Sequence, residues 1–486
     1  MLAQPPRACP EQLPLPDLFD FTNLITDPSN DLMFMDEYPW GDVSDSLRSG
    51  NDNQPLVSDI PFDQSPSNAS SALPEDSQLV DEFLQMGMPP ILETIENGPK
   101  WTSAKALLES MATSSSMVRH AIMAFSAVQL HNSTSRVQTD QRPYYERATR
   151  ELSRTLLESE TSKGGIGAQL RFVLATIFLL AYTNLVTDST SMAHANLTKA
   201  HRVIHHAEPS SLGAVEHRLI SWIRLVDARA VSAGGEGLLL AEGTGVYAPH
   251  QPSPRVSADA TKDDVDGEIE EIVFDILYQP GIIFFQKIQS FMGRITQIDQ
   301  WHRSRGTVED ETEVMATAAI ISKDLQTLYD QRPALMDHAV QGKISENILA
   351  KNLVVAITRS FRTYLANFWA CHVHLHRVAY KHLPRTKILL ESLQNIKTLV
   401  HLLSDSNERL PVNLLWPLLM WGCEEDDHEQ RRWILATIRG LEHSATNAKA
   451  TADLLEEVQK RQDQRKQRAD VREVSHDLFK GCFAIV

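Results

Sequence analysis

The run from Phe172 to Leu185 contains no charged residue and is apolar nearly all round. A helix that is hydrophobic on every side has to be surrounded by other protein or by lipid. A bilayer core needs roughly 20 apolar residues in a helix, and this run is shorter. It therefore predicts a central helix over about 168–185, buried inside a larger helical body. Such a helix needs several amphipathic partners to cover it.

Those partners are legible in the spacing of apolar residues. From about Pro74 the helical period takes over, and a first helix carries Val118, Ile122, Phe125 and Val128 after a cap at Ser114–Ser116. Pro143 suits the first turn of the next helix, which runs through Leu152, Leu156 and Leu157. Helices near Ser191–Ala207 and Gly213–Ala233 follow the central one. Residues 234–267 hold five glycines before Tyr247, then Pro252, Pro254 and the acidic run Asp263, Asp264 and Asp266, which reads as a long loop or lid. Helices resume at Ile269–Ile298, where Pro280-Gly281 predicts a kink or split, and at Glu311–Gln331. A long helix from Leu349 places Leu353, Ile357, Phe361, Tyr364, Phe368, His372, Leu375 and Ala379 at alternating spacings of three and four. Another carries Leu389, Leu393, Ile396, Val400 and Leu403, and Gln459–Arg472 reads as a charged, solvated helix or frayed tail. No stretch alternates like a strand. The fold class expected for residues 73–486 is all-α, a multi-helical bundle or solenoid-like body.

Residues 1–72 differ from the rest. They are rich in Pro, Ser, Asn and Asp, with Arg7 and Arg48 as their only basic residues. Such composition predicts a disordered acidic arm. Bulky groups, among them Leu18, Phe19, Phe21, Phe34, Tyr38 and Trp40, are set among aspartates and glutamates. That mixture is typical of disordered activation segments, and it also fits a solvated tail with no role.

The net charge of -17 works against direct contact with a nucleic acid backbone unless a local basic patch supplies it. The run Lys460, Arg461, Arg465, Lys466 and Arg468 is the candidate patch, for phosphate contact or nuclear import. Interspersed acidic residues favour a solvated charged helix instead. Four scattered cysteines, Cys9, Cys371, Cys423 and Cys482, make no disulfide framework and fit a reducing compartment. Neither a signal peptide nor a membrane span is expected.

Catalytic and ligand motifs are missing. The chain has no H-E-x-x-H, no G-x-S-x-G and no phosphate-loop glycine pattern. His372, His374 and His376 form H-x-H-x-H, and His372 with His376 share one helix face, but no third ligand accompanies them. They read as packing histidines, as do His201, His205 and His206. No catalytic, cofactor or metal site is expected.

The C-terminal half is more specific. Leu410-Pro-Val-Asn-Leu-Leu-Trp-Pro-Leu-Leu-Met-Trp-Gly-Cys-Glu is followed by Arg431, Arg432 and Trp433, then by Leu454-Leu-Glu-Glu-Val with Arg461 and Asp463. Within it Leu414, Leu415, Trp416, Pro417, Gly422, Cys423 and Glu424, with Trp433, make up the strongest mark. This resembles the fungal-specific transcription factor domain, the regulatory helical region of fungal binuclear zinc cluster activators. Looser matches are His120-Ala-Ile-Met-Ala-Phe-Ser-Ala, Tyr144-Tyr-Glu-Arg-Ala, and Trp222 with Asp227. Two positions depart from the family pattern: the stretch Ala193, Asn196, Leu197, Lys199 and Ala200, and Gln459 where a tryptophan is common.

The resemblance implies a nuclear transcription regulator, an activator of a metabolic or secondary-metabolite gene set, with an all-helical body that exposes or masks the arm. The family's zinc cluster needs six cysteines in a short N-terminal stretch, and only Cys9 is there. Either the module has been lost or the sequence begins after it, so no zinc is expected. The implied partners are the transcription machinery or a DNA-bound transcription factor, DNA being met directly or through that partner, as a homo- or heterodimer. The alternative is a helical scaffold or adaptor outside transcription.

Overall fold

The computed structural model describes residues 76–485, apart from 86–87, 134–139, 162–165, 209–211, 241–261, 345–348, 407–408 and 443–446. The arm over 1–72, with Leu18, Phe19, Phe21, Phe34, Tyr38 and Trp40, lies outside the described residues, as does Cys9. Sixteen α-helices and no strand occur among the described residues, so the chain is all-α as its periodicity predicts. In order they are α1 Asp76–Gln85, α2 Pro99–Ser114, α3 Ser116–Ser133, α4 Arg142–Thr161, α5 Leu170–Val186, α6 Thr190–His206, α7 Ala214–Ala230 and α8 Lys262–Gln297. Then come α9 Val308–Asp330, α10 Ala334–Val340, α11 Lys351–Ala379, α12 Lys387–Ser404, α13 Leu415–Glu424, α14 His428–Gly440, α15 Ala448–Arg465 and α16 Val471–Phe479.

Two helices act as hubs. Every residue of α5 from Phe172 to Leu185 is buried, and α3, α4, α6 and α7 pack around it. Together with its lead-in turn the segment spans 20 residues, Gly167–Val186, so by length and composition it is able to cross a membrane. The expectation that it is too short for that does not hold. In this fold 83% of its most apolar stretch is covered by protein. The second hub is α11, packed against α8, α9, α10, α12 and α13, and α7 against α8 joins the two groups. The side chains of both hubs belong to one continuous apolar core.

Of the kink or split expected at Pro280-Gly281, the split does not occur, and helix α8 runs through Pro280 for 36 residues. Proline removes the hydrogen bond to the carbonyl of residue 276, and Ile276 is exposed, so water can satisfy that group. Gly281 has a different reason to be small: a Cβ there would lie 2.2 Å from Cε1 of the fully buried Phe361 on α11. The loop expected over 234–267 is also shorter. Helix α8 starts at Lys262 and takes Asp263, Asp264 and Asp266 into its first turns. At the other end, Gly234 and Gly237 adopt the left-handed φ that glycine permits. This turns Leu239 and Leu240 into the core, and the Leu239 N–H donates to the buried Asp227 at 2.8 Å.

Local chemistry fixes several helix starts. Thr307 and Asp310 cap α9 reciprocally, and Thr386, Asp427 and Asp470 cap α12, α14 and α16 with side-chain oxygens.

Substituting Gly281→Ala should destabilise the fold by about 1–3 kcal/mol, the usual cost of overpacking a filled core. Gly440→Ala, where a Cβ meets nothing within 4 Å, should change stability by less than about 0.5 kcal/mol. Urea unfolding of the two variants against the parent measures this. Equal midpoints for both would show that Phe361 gives way freely.

Candidate functional site

Helix α13 is the centre of the strongest sequence motif, and all ten of its residues are buried. Leu414 and Leu415 are fully covered, and Pro417 falls in its first turn, where a missing N–H costs nothing. Trp416 meets His374 of α11 edge-on at 5.9 Å between ring centroids. Trp433 lies 5.8 Å from Trp421 and 4.5 Å from His401. A Cβ on Gly422 would sit 2.5 Å from Leu455 Cδ2, so the glycine lets α13 and α15 approach closely.

The end of α13 explains the last three motif residues together. A helix C-terminus leaves carbonyls without intrahelical donors. Here Gln459 Nε2 donates to the Gly422 carbonyl and Gln462 Nε2 to that of Cys423, both at 2.8 Å. Gln459, which departs from the family's tryptophan, thus supplies a hydrogen bond. Arg377 of α11 also donates to the Cys423 carbonyl at 3.2 Å. Next to them the Glu424 carboxylate, 1% exposed, meets Arg377 at 2.5 Å, Arg468 at 2.9 Å and Arg385 at 3.4 Å. Burial works against its charge, but Arg377 and Arg468 outweigh burial and hold the carboxyl below its ordinary value.

The candidate basic patch is accordingly not one surface. Helix α15 ends at Arg465, and Lys466 caps it with a left-handed φ of 54°. Gln459, Gln462 and Arg468 face inward, because the α13 terminus and Glu424 need their donors. Lys460 and Arg461 pair with Glu457 at 2.9 and 3.0 Å, and Arg461 also with Asp477 at 2.6 Å. Arg465 and Lys466 stay exposed. The expectation of a helix solvated all round therefore fails for Gln459–Arg472.

Beside the ionic cluster lies a cavity of about 100 Å³. Its lining includes the apolar side chains of Met292 on α8, Trp416, Leu419 and Met420 on α13, and Phe483 and Ile485 of the C-terminal segment. Polar and charged side chains line it as well, among them Asp299, His374, Arg377, Lys381, Arg468 and Arg472. Sequence reasoning missed this cavity. Its walls come from positions more than 250 residues apart, and no local pattern marks them. The C-terminal segment is tied in by the Ile485 N–H to Ser232 Oγ at 2.9 Å and by Asn447 to the Ala484 carbonyl.

The histidines of H-x-H-x-H do not form a ligand set. His372 and His376 are buried, and His374 is half-buried against the cavity. Burial lowers all three, His372 to about 4 and His374 to about 3 with help from Arg472 and Arg377, so they are neutral at pH 7. Among the described residues no group of three His, Cys, Asp or Glu side chains is placed to hold a metal ion. The thiols of Cys371 and Cys423 are buried and pushed up, the latter to about 11. The binuclear zinc cluster does not fit the chain, since four cysteines cannot supply six thiolates.

Farther from the cavity, the motif residue Asn413 ties distant parts together. Its amide donates to Thr94 Oγ1 at 2.8 Å and to the Ile91 carbonyl at 3.3 Å, while its own oxygen accepts from Arg229. The looser sequence matches are anchored too. Trp222 Nε1 donates to Glu96 at 2.6 Å, and Arg218 clasps the same carboxylate.

The fold and site therefore define a helical body built around a buried ionic cluster and an adjoining cavity. The fungal specific transcription factor domain matches residues 99–480, and the chain belongs to that family. It is a domain of transcription regulation and not an enzyme. Neither a curated protein nor a solved structure is detectably similar to the chain.

Replacing Glu424 by Gln leaves the well-covered Arg377 and Arg468 around a neutral group, while Arg385 keeps Asp426. The expected loss is about 3–5 kcal/mol, as for breaking a buried ion pair from one side. The contribution of a carboxyl held low in the native state is full above its ordinary value of 4.5 and is lost as pH falls through the lowered native value. The gap between parent and variant in thermal melts should accordingly be wide at pH 7 and close at acid pH. A gap independent of pH would assign the loss to packing rather than charge.

Proposed function

We propose that the chain acts in the nucleus as a regulator of a metabolic or secondary-metabolite gene set, and that it reaches DNA through a DNA-bound partner. The observation that carries the regulator reading is the family match over most of the helical body. The net charge of -17 and the pairing of Lys460, Arg461 and Arg468 with carboxylates both work against a broad phosphate-binding face. In this reading residues 1–72 are the activation segment, with Leu18, Phe19, Phe21, Phe34, Tyr38 and Trp40 as its contacts to the transcription machinery. Residues 73–486 form the regulatory body. A partner or small molecule shifts such a body between states only by binding one state better than the other.

Chromatin occupancy of the tagged protein, paired with a binding assay of the purified chain on the recovered DNA at stated salt, tests the proposal. Occupancy without binding in vitro is expected. Specific binding by the pure chain would overturn the partner-mediated route and point to Arg465 and Lys466 first. Retention in the cytoplasm with no occupancy would replace the regulator by a scaffold. Residues 1–72 fused to an unrelated DNA-binding domain should activate a reporter, and a silent fusion would remove the arm's role.

A further inference from the structure

Helix α9 is apolar on two sides. One side, with Val314, Ala318, Ile321 and Leu325, is buried, and the helix packs against α8 and α11. The other side faces water. Val308 is 78%, Met315 45% and Ile320 58% exposed, and Thr312, Ala316 and Ala319 are exposed between them. At about 3.6 residues per turn these six fall in one stripe. A surface helix ordinarily turns charged and polar residues outward, and contiguous apolar surface there marks an interaction site. Two charges standing on the stripe select its occupant. Glu309 and Lys323 are exposed and make no ion pair among the described residues. The charges at the edges are already used, Glu313 by Arg303 and Asp324 by Arg294. Glu309 lies seven residues before Ala316, and Lys323 seven residues after it. Seven residues make about two helical turns, so the acid, Ala316 and the base stand nearly in line. The face is therefore its own complement. Laid antiparallel on a copy of itself with Ala316 at the axis, it sets Glu309 against the partner's Lys323 and Thr312 against the partner's Ile320. A parallel arrangement would set like charges against each other at both ends.

We propose that a second copy of this chain docks on the exposed face of α9, the two helices pairing antiparallel about a two-fold axis at Ala316. Such a contact uses the same patch on both copies and closes on itself, so it stops at a dimer. Met315 and Ile320 supply the apolar surface that pairing removes from water. Ala316 and Ala319 are small, which lets the two helices approach closely. The charges fix register and orientation more than strength, because exposed ion pairs contribute little. The face over 308–323 is about 22 Å long at 1.5 Å per residue. That is short for a standard interface, so the dimer forms and parts readily. The proposal concerns assembly, and it stands apart from which genes the chain regulates or how it reaches DNA.

Sedimentation velocity of the full chain over a range of concentrations, at fixed salt, tests it. A monomer–dimer equilibrium half dissociated at about 1–100 µM is the expected result. Every substitution used is at an exposed position, so each variant should melt like the parent. Ile320→Asp should be monomeric throughout. Glu309→Lys and Lys323→Glu should each weaken the dimer by about tenfold, the first even though it lowers the net negative charge. The double variant, with both exchanges, should return to within about threefold of the parent, because the pairs are restored with their signs reversed. A parent that stays monomeric up to about 200 µM would overturn the second copy as the occupant and give the face to a different protein. A dimer untouched by Ile320→Asp would overturn the surface. Tighter pairing in Glu309→Lys, or a double variant no better than the single ones, would overturn the antiparallel register.

Discussion

A single buried carboxylate organises the C-terminal half of this protein. Glu424 is almost wholly removed from water, and such a charge is tolerable only with counter-charges at hand. Its partners come from three places in the chain: Arg377 in the last turn of α11, Arg385 before α12, and Arg468 beyond α15. Arg385 turns to Asp426 as well, and the other two use their remaining donors on backbone carbonyls. Arg377 reaches those of Cys423 and Ala469, and Arg468 those of Lys381 and Leu383. Guanidinium groups suit this work because their fork of donors serves a carboxylate and a chain end at once. The cluster thereby sets where three helices end, and the cavity is the space left beside it.

The same logic extends to the other half of the body through Asn413, two residues before α13 begins. Its side chain reads two carbonyl and hydroxyl groups in the segment ahead of α2, and its own backbone carbonyl accepts from Asn367 at 3.0 Å. Nearby, the Thr94 carbonyl accepts from both Tyr278 and Tyr364, so α8 and α11 are pinned to one residue of that segment. Polar groups buried at such depth have to be satisfied as a set, which makes the register of α13 against the rest of the core hard to change.

Much of the helical layout was legible because apolar periodicity is a local signal. The burial of α5, the break between α2 and α3 at Ser115, and the long α11 all follow from residue spacing. At Pro280 the sequence left a kink or a split open, and the helix continues where the freed carbonyl belongs to the exposed Ile276. The loop boundary misled because Asp263, Asp264 and Asp266 look like a solvated turn, yet carboxylates also favour a helix start. The conserved-looking motif around Trp416 could be read as a family mark, but not its partners. Arg377 sits among three histidines, and Arg468 in a run that reads as solvent-facing. Nothing local distinguishes an arginine that crosses to Glu424 from one that ends in water. The cavity was invisible for the same reason, since its lining residues converge only in three dimensions.

The C-terminal segment gives the fold an order of assembly. Ile485 closes on Ser232 across 253 positions, and Asn447 closes on Ala484. Loop closure over such distances is slow relative to local helix formation. During synthesis the α7 end must therefore wait, with its neighbours already folded, until that segment emerges. Until then the apolar surface that Phe483 and Ile485 cover stands open to water.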